Sequence, residues 1–369
     1  MKLSDIVNRI NGNVDRFTTD LEYYIGGEHI ESNELEITKG GNLKENLGKL
    51  GFKFHFAFQE RDVIFMARNP HLRKAGMVMF SGLCSDASYI LRSKDENVIT
   101  QEFLAIQLQS DHFWDYCERT KVGSVNFANN WTSIANYEFD LPPIEKQKDI
   151  AQKVWAAYRL KESYKKLLTA TQEMVKSQFI EMFGNPVANN KGWSTMALKQ
   201  VAPEEPSRER QTGTVWILNL DMIESHTGKI IDKVYDEDTN LLSVAPFDEG
   251  NVLYSKLRPY LNKVVIPKGK GYATTELVPL RPNQEYLNLT FFSHLLRGDD
   301  FVTYANTISS GTKMPRMPLN DLRNFQCILP PMEEQLKFEK VAEQADKSEF
   351  ELRKSIEAID QVIKSLINS

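Results

Sequence analysis

Leu141-Pro142-Pro143-Ile144-Glu145-Lys146-Gln147 returns 188 residues later as Leu329-Pro330-Pro331-Met332-Glu333-Glu334-Gln335, and this recurrence decides how the chain is organised. A Pro-Pro pair followed by an acid is a helix-start signal. Proline lacks the N–H that a first turn leaves unpaired and already holds a helical φ, while Glu145 and Glu333 complement the positive end of the helix dipole. Beyond each signal the apolar period lengthens from two to three and four. In the first copy it runs through Ile150, Val154, Ala157, Lys161, Tyr164, Leu168, Thr171, Val175, Gln178 and Met182, with Lys161, Thr171 and Gln178 as imperfections. In the second it runs through Val341, Ala345, Ser348, Leu352, Ser355, Ile359, Val362 and Leu366. Each is a narrow seam of coiled-coil type, and the simplest partner for each helix is the other. Gly184-Asn185-Pro186 supplies a stop for the first helix.

Working outward, the repeat covers the rest of the chain. Phe58-Gln59-Glu60-Arg61-Asp62-Val63-Ile64-Phe65 aligns with Phe247-Asp248-Glu249-Gly250-Asn251-Val252-Leu253-Tyr254 at an offset of 189. Ile90-Leu91-Arg92 meets Pro279-Leu280-Arg281, Gly123-Ser124 meets Gly311-Thr312, and Ile30-Glu31-Ser32 echoes Ile223-Glu224-Ser225. Short β-like runs such as Val63 to Met66 and Lys263 to Pro267, punctuated by Gly, Pro and Asn, read as strands of a mixed α/β domain. The expected fold is α+β: two similar mixed α/β domains, 1–140 and 185–328, and two long helices, 141–184 and 329–369, forming an antiparallel coiled coil with a pseudo-twofold repeat. At 1.5 Å per residue the first helix is roughly 58 Å long, a spacer.

Composition narrows the function. The 369 residues are 41% hydrophobic and 26% charged, which is the balance of folded domains rather than of a disordered chain. No signal-peptide core or membrane-length apolar run is present, so a cytoplasmic location is expected and no membrane association. Cys84, Cys117 and Cys327 form no CxxC pair, and the six histidines show no metal-ligand spacing, so neither a disulfide framework nor a metal site is expected. The net charge of −5 argues against a protein that coats DNA by bulk attraction. The distribution is uneven, however. Lys256, Arg258, Lys263, Lys268 and Lys270 lie between Asn251 and Thr275 with no acid among them, and Arg61, Arg68, Arg73 and Lys74 face only Asp62 in the first half. There is no NPPY-type tetrad, no Gly-rich cofactor loop and no GxxxxGK[ST], so catalysis by this chain is not expected and no cofactor is assigned to it.

The order domain, helix, domain, helix, with LPPxExQ opening each helix, resembles the specificity subunits of Type I restriction-modification systems over essentially the whole chain. The stretches Gly250 to Lys263, Ser309 to Arg316 and Met182-Phe-Gly-Asn-Pro186 carry the same likeness. The resemblance implies two target recognition domains, each reading half of a bipartite site in double-stranded DNA. It implies two modification (methyltransferase) subunits docked on the long helices, with restriction subunits joining that core. S-adenosylmethionine, ATP and magnesium would belong to those partners. A helical spacer of this length suits half-sites on the order of 10 to 17 bp apart.

By the family's pattern, Lys256, Arg258, Tyr260 and Lys263 lie near DNA, and Ser310, Thr312, Lys313 and Arg316 form a polar loop approaching a groove. Arg258 and Arg316 are the better base readers, because a guanidinium can grip guanine bidentately. The first copy departs from this pattern, and there Arg68, Arg73, Ser124, Asn126 and Asn129 are the candidates; the asparagines also suit turns. Fold-bracing contacts would account for Arg258 and Tyr260 equally well. The competing function is a coiled-coil scaffold that binds only protein.

Overall fold

A computed structural model describes residues 1–125, 127–208, 211–237, 243–311 and 313–368. The chain divides into two compact units, Met1–Lys166 with Arg353–Ser369, and Leu167–Leu352. Each takes one part of both long helices, Ile144–Phe183 and Met332–Ile367.

In the first unit five strands form one sheet, in the order Val7–Ile10, Ser88–Ser93, Val63–Met66, Ala75–Val78 and Glu36–Ile37. A second sheet runs Gly41–Asn42, Tyr23–Ile25, Gly82–Ser85 and Phe54–Phe58. Tyr23–Ile25 pairs parallel with Gly82–Ser85, and Phe54–Phe58 pairs antiparallel with it. Helices Gln101–Gln107, Asp111–Thr120 and Trp131–Ala135 follow, the first two capped by the Thr100 and Ser110 hydroxyls. The core gathers Phe65, Phe113, Trp114 and Tyr137.

The second unit repeats these pairings. Thr214–Leu218 runs parallel to Gly271–Thr274, Val244–Phe247 runs antiparallel to it, and Val252–Ser255 pairs antiparallel with Leu277–Leu280. Helices Leu289–Arg297, Asp299–Ile308 and Leu319–Asn324 come next. Its core gathers Phe183, Phe291, Phe292, Phe301 and Phe338.

The glutamine that ends each LPPxExQ explains why the motif recurs. Gln147 is fully buried; its amide donates to the Val98 and Pro142 carbonyls at 2.8 and 2.9 Å, and its oxygen accepts from Thr100 N–H at 3.3 Å. Gln335, equally buried, donates to the Tyr286 and Pro330 carbonyls at 2.8 Å and accepts from Asn288 N–H at 2.8 Å. The side chain thus ties the helix start to the domain before it. Gly184 ends the first long helix at φ +74°, and a Cβ there would lie 2.1 Å from Asn190 Oδ1.

Within each unit the two long helices run antiparallel. Lys161 meets Asp360 and Ile150 shares a cleft with Leu366 in the first unit, while Gln172 meets Glu349 and Phe179 packs on Phe338 in the second. The buried faces correct the narrow seam read from the sequence. Trp155, Tyr158 and Phe179 are buried, and Ile363 is buried whereas Val362 is 52% exposed. Within each unit both helices pack on that unit's domain as well as on each other, so the apolar face is wider than a coiled-coil seam. All three cysteines are buried and free. Burial pushes the Cys84 and Cys327 thiols up to about 12. No helix among the described residues is long and apolar enough to cross a membrane.

Candidate nucleic-acid interface

The candidate surface in the second unit is built from two loops. Strand Val252–Ser255 leads through Lys256 and Leu257 into a 3₁₀ turn, Pro259–Leu261, bracketed by two left-handed residues, Arg258 at φ 49° and Asn262 at φ 48°. A left-handed arginine costs on the order of 1 kcal/mol and persists only where its surroundings fix it. Here Pro259 presets the first helical φ, and Arg258 N–H donates 2.7 Å to the Pro315 carbonyl. Asn262 is buried, its amide donating to the Arg297 carbonyl at 2.8 Å. The second loop is a tight hairpin, closed by reciprocal backbone bonds between Ser310 and Arg316 at 3.2 and 3.0 Å. Gly311 turns it at φ +103°, a conformation that side chains rarely adopt. Met317 N–H to the Lys256 carbonyl, at 2.9 Å, joins the two loops.

The first unit holds the same construction. Asn69 at φ 54° and Arg73 at φ 49° bracket Pro70–Leu72, Asn69 N–H donates 2.9 Å to the Phe127 carbonyl, and Val122 and Ala128 close a hairpin at 2.8 and 3.0 Å. Gly123 turns that hairpin at φ +108°. Even the lysine brace recurs. Lys74 Nζ donates to the Gly27 carbonyl and Lys263 Nζ to the Leu220 carbonyl, each at 2.6 Å and each at the first residue of a 3₁₀ turn.

These contacts sort the candidate residues. Arg258 has no ion-pair partner among the described residues, and its Nε is buried without a hydrogen bond. Tyr260 is 46% exposed at the loop tip. Lys256 is half-buried, and Ser310 and Lys313 are exposed on the hairpin side of the joined loops. Arg316 is exposed too, but Glu276 engages its Nε at 3.2 Å and its Nη2 at 2.9 Å, which also favours its charged form. With its Nε–Nη2 edge on Glu276, the guanidinium keeps its Nη1 donors and one of Nη2 for a base or a phosphate. In the first unit Arg68 and Ser124 are exposed at the corresponding loops.

Three expectations change. Asn129 is 1% exposed, and its amide donates to the Cys117 carbonyl at 2.8 Å and to Thr120 Oγ1 at 3.2 Å, so it braces the hairpin instead of facing solvent. Lys263 spends its ammonium on the Leu220 carbonyl, and Arg73 pairs with Asp111 at 2.6 Å. Both hold the loops in place. Asn126 and Thr312 lie outside the described residues. The sequence missed the braces for one reason: Leu220 precedes Lys263 by 43 residues, and Glu276 precedes Arg316 by 40, so no local pattern announces either pair.

A family model described as the Type I restriction modification DNA specificity domain matches residues 1–170. The EcoDI specificity subunit of a Type I restriction enzyme from Escherichia coli is 26% identical over 188 residues, covering 49% of this chain and 41% of that protein. The chain therefore spans about two fifths of the curated relative it matches. Among solved structures, the S subunit of a Type I restriction-modification system from M. genitalium superposes with TM-score 0.57 at 12% identity, over 100% of this chain and 94% of that one. A chain from a study of Type I R-M complex assembly and conformational transition superposes with TM-score 0.56 at 18% identity, over 100% and 95%. At these identities the structural matches speak for the fold alone. The first 170 residues thus match the specificity-domain family of Type I restriction-modification systems, and the whole chain has the fold of the S-subunit structures.

Proposed function

We propose that this chain is the DNA-recognition subunit of a Type I restriction-modification complex and that it carries out no catalysis itself. Its two domains act as target recognition domains, each reading one half of a bipartite site in duplex DNA. The observation that carries this reading is the recurrence, in both units, of one rigid frame with different side chains at its tip. In the second unit the tip carries Arg258, Tyr260, Lys313 and Arg316; in the first, the corresponding loops carry Asn69, His71, Val125 and Ala128. Identical backbone bonds fix the loops for docking, while the different side chains suit two unrelated half-sites.

In this reading Arg258 reads a base directly, because its guanidinium has no carboxylate to give up. Arg316 reads a base or a phosphate through the donors that Glu276 leaves it. Lys256, Lys313, Ser310 and Tyr260 position the backbone of the same half-site, and Arg68 and Ser124 contact the other. The two long helices form an antiparallel coiled coil, give the chain its pseudo-twofold repeat, and dock two modification subunits, with restriction subunits added to that core. Magnesium, ATP and S-adenosylmethionine act in those partners.

The test is DNA binding by this chain co-purified with its modification partner, titrated with salt. Affinity for one split sequence that falls steeply with salt, and that drops on Arg258→Ala, supports the assignment. A complex that assembles normally but binds all duplexes alike and weakly would move the function to a protein scaffold.

A further inference from the structure

The place where each domain rests on its long helix is chemically inverted between the two units. Lys161 of the first long helix and Glu349 of the second both stand 14 residues after the buried glutamine of their motif. They are the helix-side charges of the two docks, 5% and 6% exposed. In the first unit the helix supplies the cation: Lys161 Nζ lies 3.2 Å from Glu34 Oε2 and 2.9 Å from Asp360 Oδ1, and Lys165 Nζ lies 2.8 Å from Glu34 Oε1. In the second unit the helix supplies the anion: Glu349 pairs with Lys229 and accepts from the Gln172 amide at 3.3 Å.

The domain residues lie on matching loops, though not at the same position. Glu34 comes one residue after Asn33 (φ 60°) and Lys229 three after His226 (φ 68°), and the N–H groups of Asn33 and His226 donate to the Arg73 and Asn262 carbonyls, which end the two equivalent left-handed loops. A second domain position is neutral in the first unit and cationic in the second. Gln109 donates to the Glu34 carbonyl at 3.0 Å, whereas Arg297, 188 residues on, donates to the Thr227 carbonyl at 2.6 Å. The helix residues opposite are Tyr158 and Asp346, again 188 apart, each lining the cleft at its own dock. In the first unit, then, the buried pair sets a domain anion against a helix cation, and in the second a domain cation against a helix anion. At the rim the sign is the same in both units, Lys364 meeting Asp111 at 3.6 Å and Lys176 meeting Asp299 at 3.7 Å.

We propose that this inversion addresses each recognition domain to its own helix, so that the unlike domain, whether from this chain or from a second copy, is refused. Set on the first helix, the second domain would bring Lys229 and Arg297 against Lys161, with Asp360 the facing acid. Set on the second helix, the first domain would bring Glu34 against Glu349 and Asp346, with the neutral Gln172 standing where the first unit has Asp360. Like charges in partly dehydrated sites oppose such pairings far more strongly than they would on an open surface. The frames are similar enough to be exchanged; the charges make the exchange unfavourable.

The experiment uses full-length chains and reads thermal unfolding without DNA, so its outcome is independent of the DNA-recognition reading. In one chimera residues 1–140 and 185–328 trade places with the helices unchanged. A second adds Tyr158→Asp, Lys161→Glu, Gln172→Asp, Asp346→Tyr, Glu349→Lys and Asp360→Gln, which inverts the helices to match. The second chimera is expected to unfold at least about 5 °C above the first. Equal melting of the two overturns the proposal. Should neither chimera fold, the native chain decides. Glu34→Lys is expected to lower the midpoint, Lys161→Glu to restore most of the loss, and Glu349→Lys to restore none of it. Absence of that selective rescue overturns the proposal.

Discussion

The loops at 67–74 and 122–128 in the first unit and those at 256–263 and 310–317 in the second share nearly every backbone bond and hardly any tip side chain. Asn69 and Arg258 take the same left-handed turn and make the same bond to the hairpin, yet one offers a short amide and the other a guanidinium. Ala128 and Arg316 likewise hold one position. The difference teaches where selection for structure ends. Residues that fix the frame (Pro70 and Pro259, Lys74 and Lys263, Gly123 and Gly311, Gln147 and Gln335) are the same on both sides. Those that face outward from it differ, as the proposed reading of two different half-sites requires.

The largest expected effect tests the shared part. Gln147→Ala and Gln335→Ala each remove three hydrogen bonds and strand buried backbone groups, which should cost about 3 kcal/mol of stability in either unit by denaturant unfolding. A large loss in one unit and none in the other would break the equivalence of the frames. Next comes Arg258→Ala. It should reduce affinity by about 2 kcal/mol and relax base preference in one half-site, leaving the other half-site intact in a binding assay on randomised duplexes. Lys313→Ala should do less: a uniform weakening of about 1 kcal/mol or below, with the slope of log affinity against log salt reduced by about one.

The smallest effect separates the units by pH. Burial alone would raise the Glu34 carboxyl, but Lys165 and Lys161 outweigh it and hold the group below its ordinary 4.5. A depressed carboxylate contributes stability above its unfolded value, and that contribution is lost as pH falls through the folded one. Acidification below about 4.5 should therefore weaken the first unit's dock in wild-type protein. Calorimetry should show less acid sensitivity in Glu34→Gln, and an unchanged profile in that variant would contradict the assigned pair.

Much of the frame was legible in the sequence because it is local or repeated. The Pro-Pro-acid signal marks both helix starts by the chemistry of a first turn, and the glycine of each hairpin stands at the repeat offset. What stayed hidden depends on contacts between distant residues. Trp155 and Phe179 were missed because a seven-residue seam does not foresee a helix packing on a domain as well as on another helix. Lys263, Arg73 and Asn129 look like DNA ligands by type; their partners, the Leu220 carbonyl, Asp111 and the Cys117 carbonyl, exist only in the folded chain. The charges at Lys161 and Glu349 were in plain view, Lys161 as an interruption of the seam, but only the fold sets Glu34 and Lys229 opposite them.

The central claim, that this chain sets the DNA sequence on which a Type I complex acts, is tested most directly by mapping methylated adenines across a genome after co-expression with the modification subunit. Methylation is expected at one split motif, to disappear when this chain is omitted, and to loosen in a single half under Arg258→Ala. Methylation that persists unchanged without this chain would contradict it.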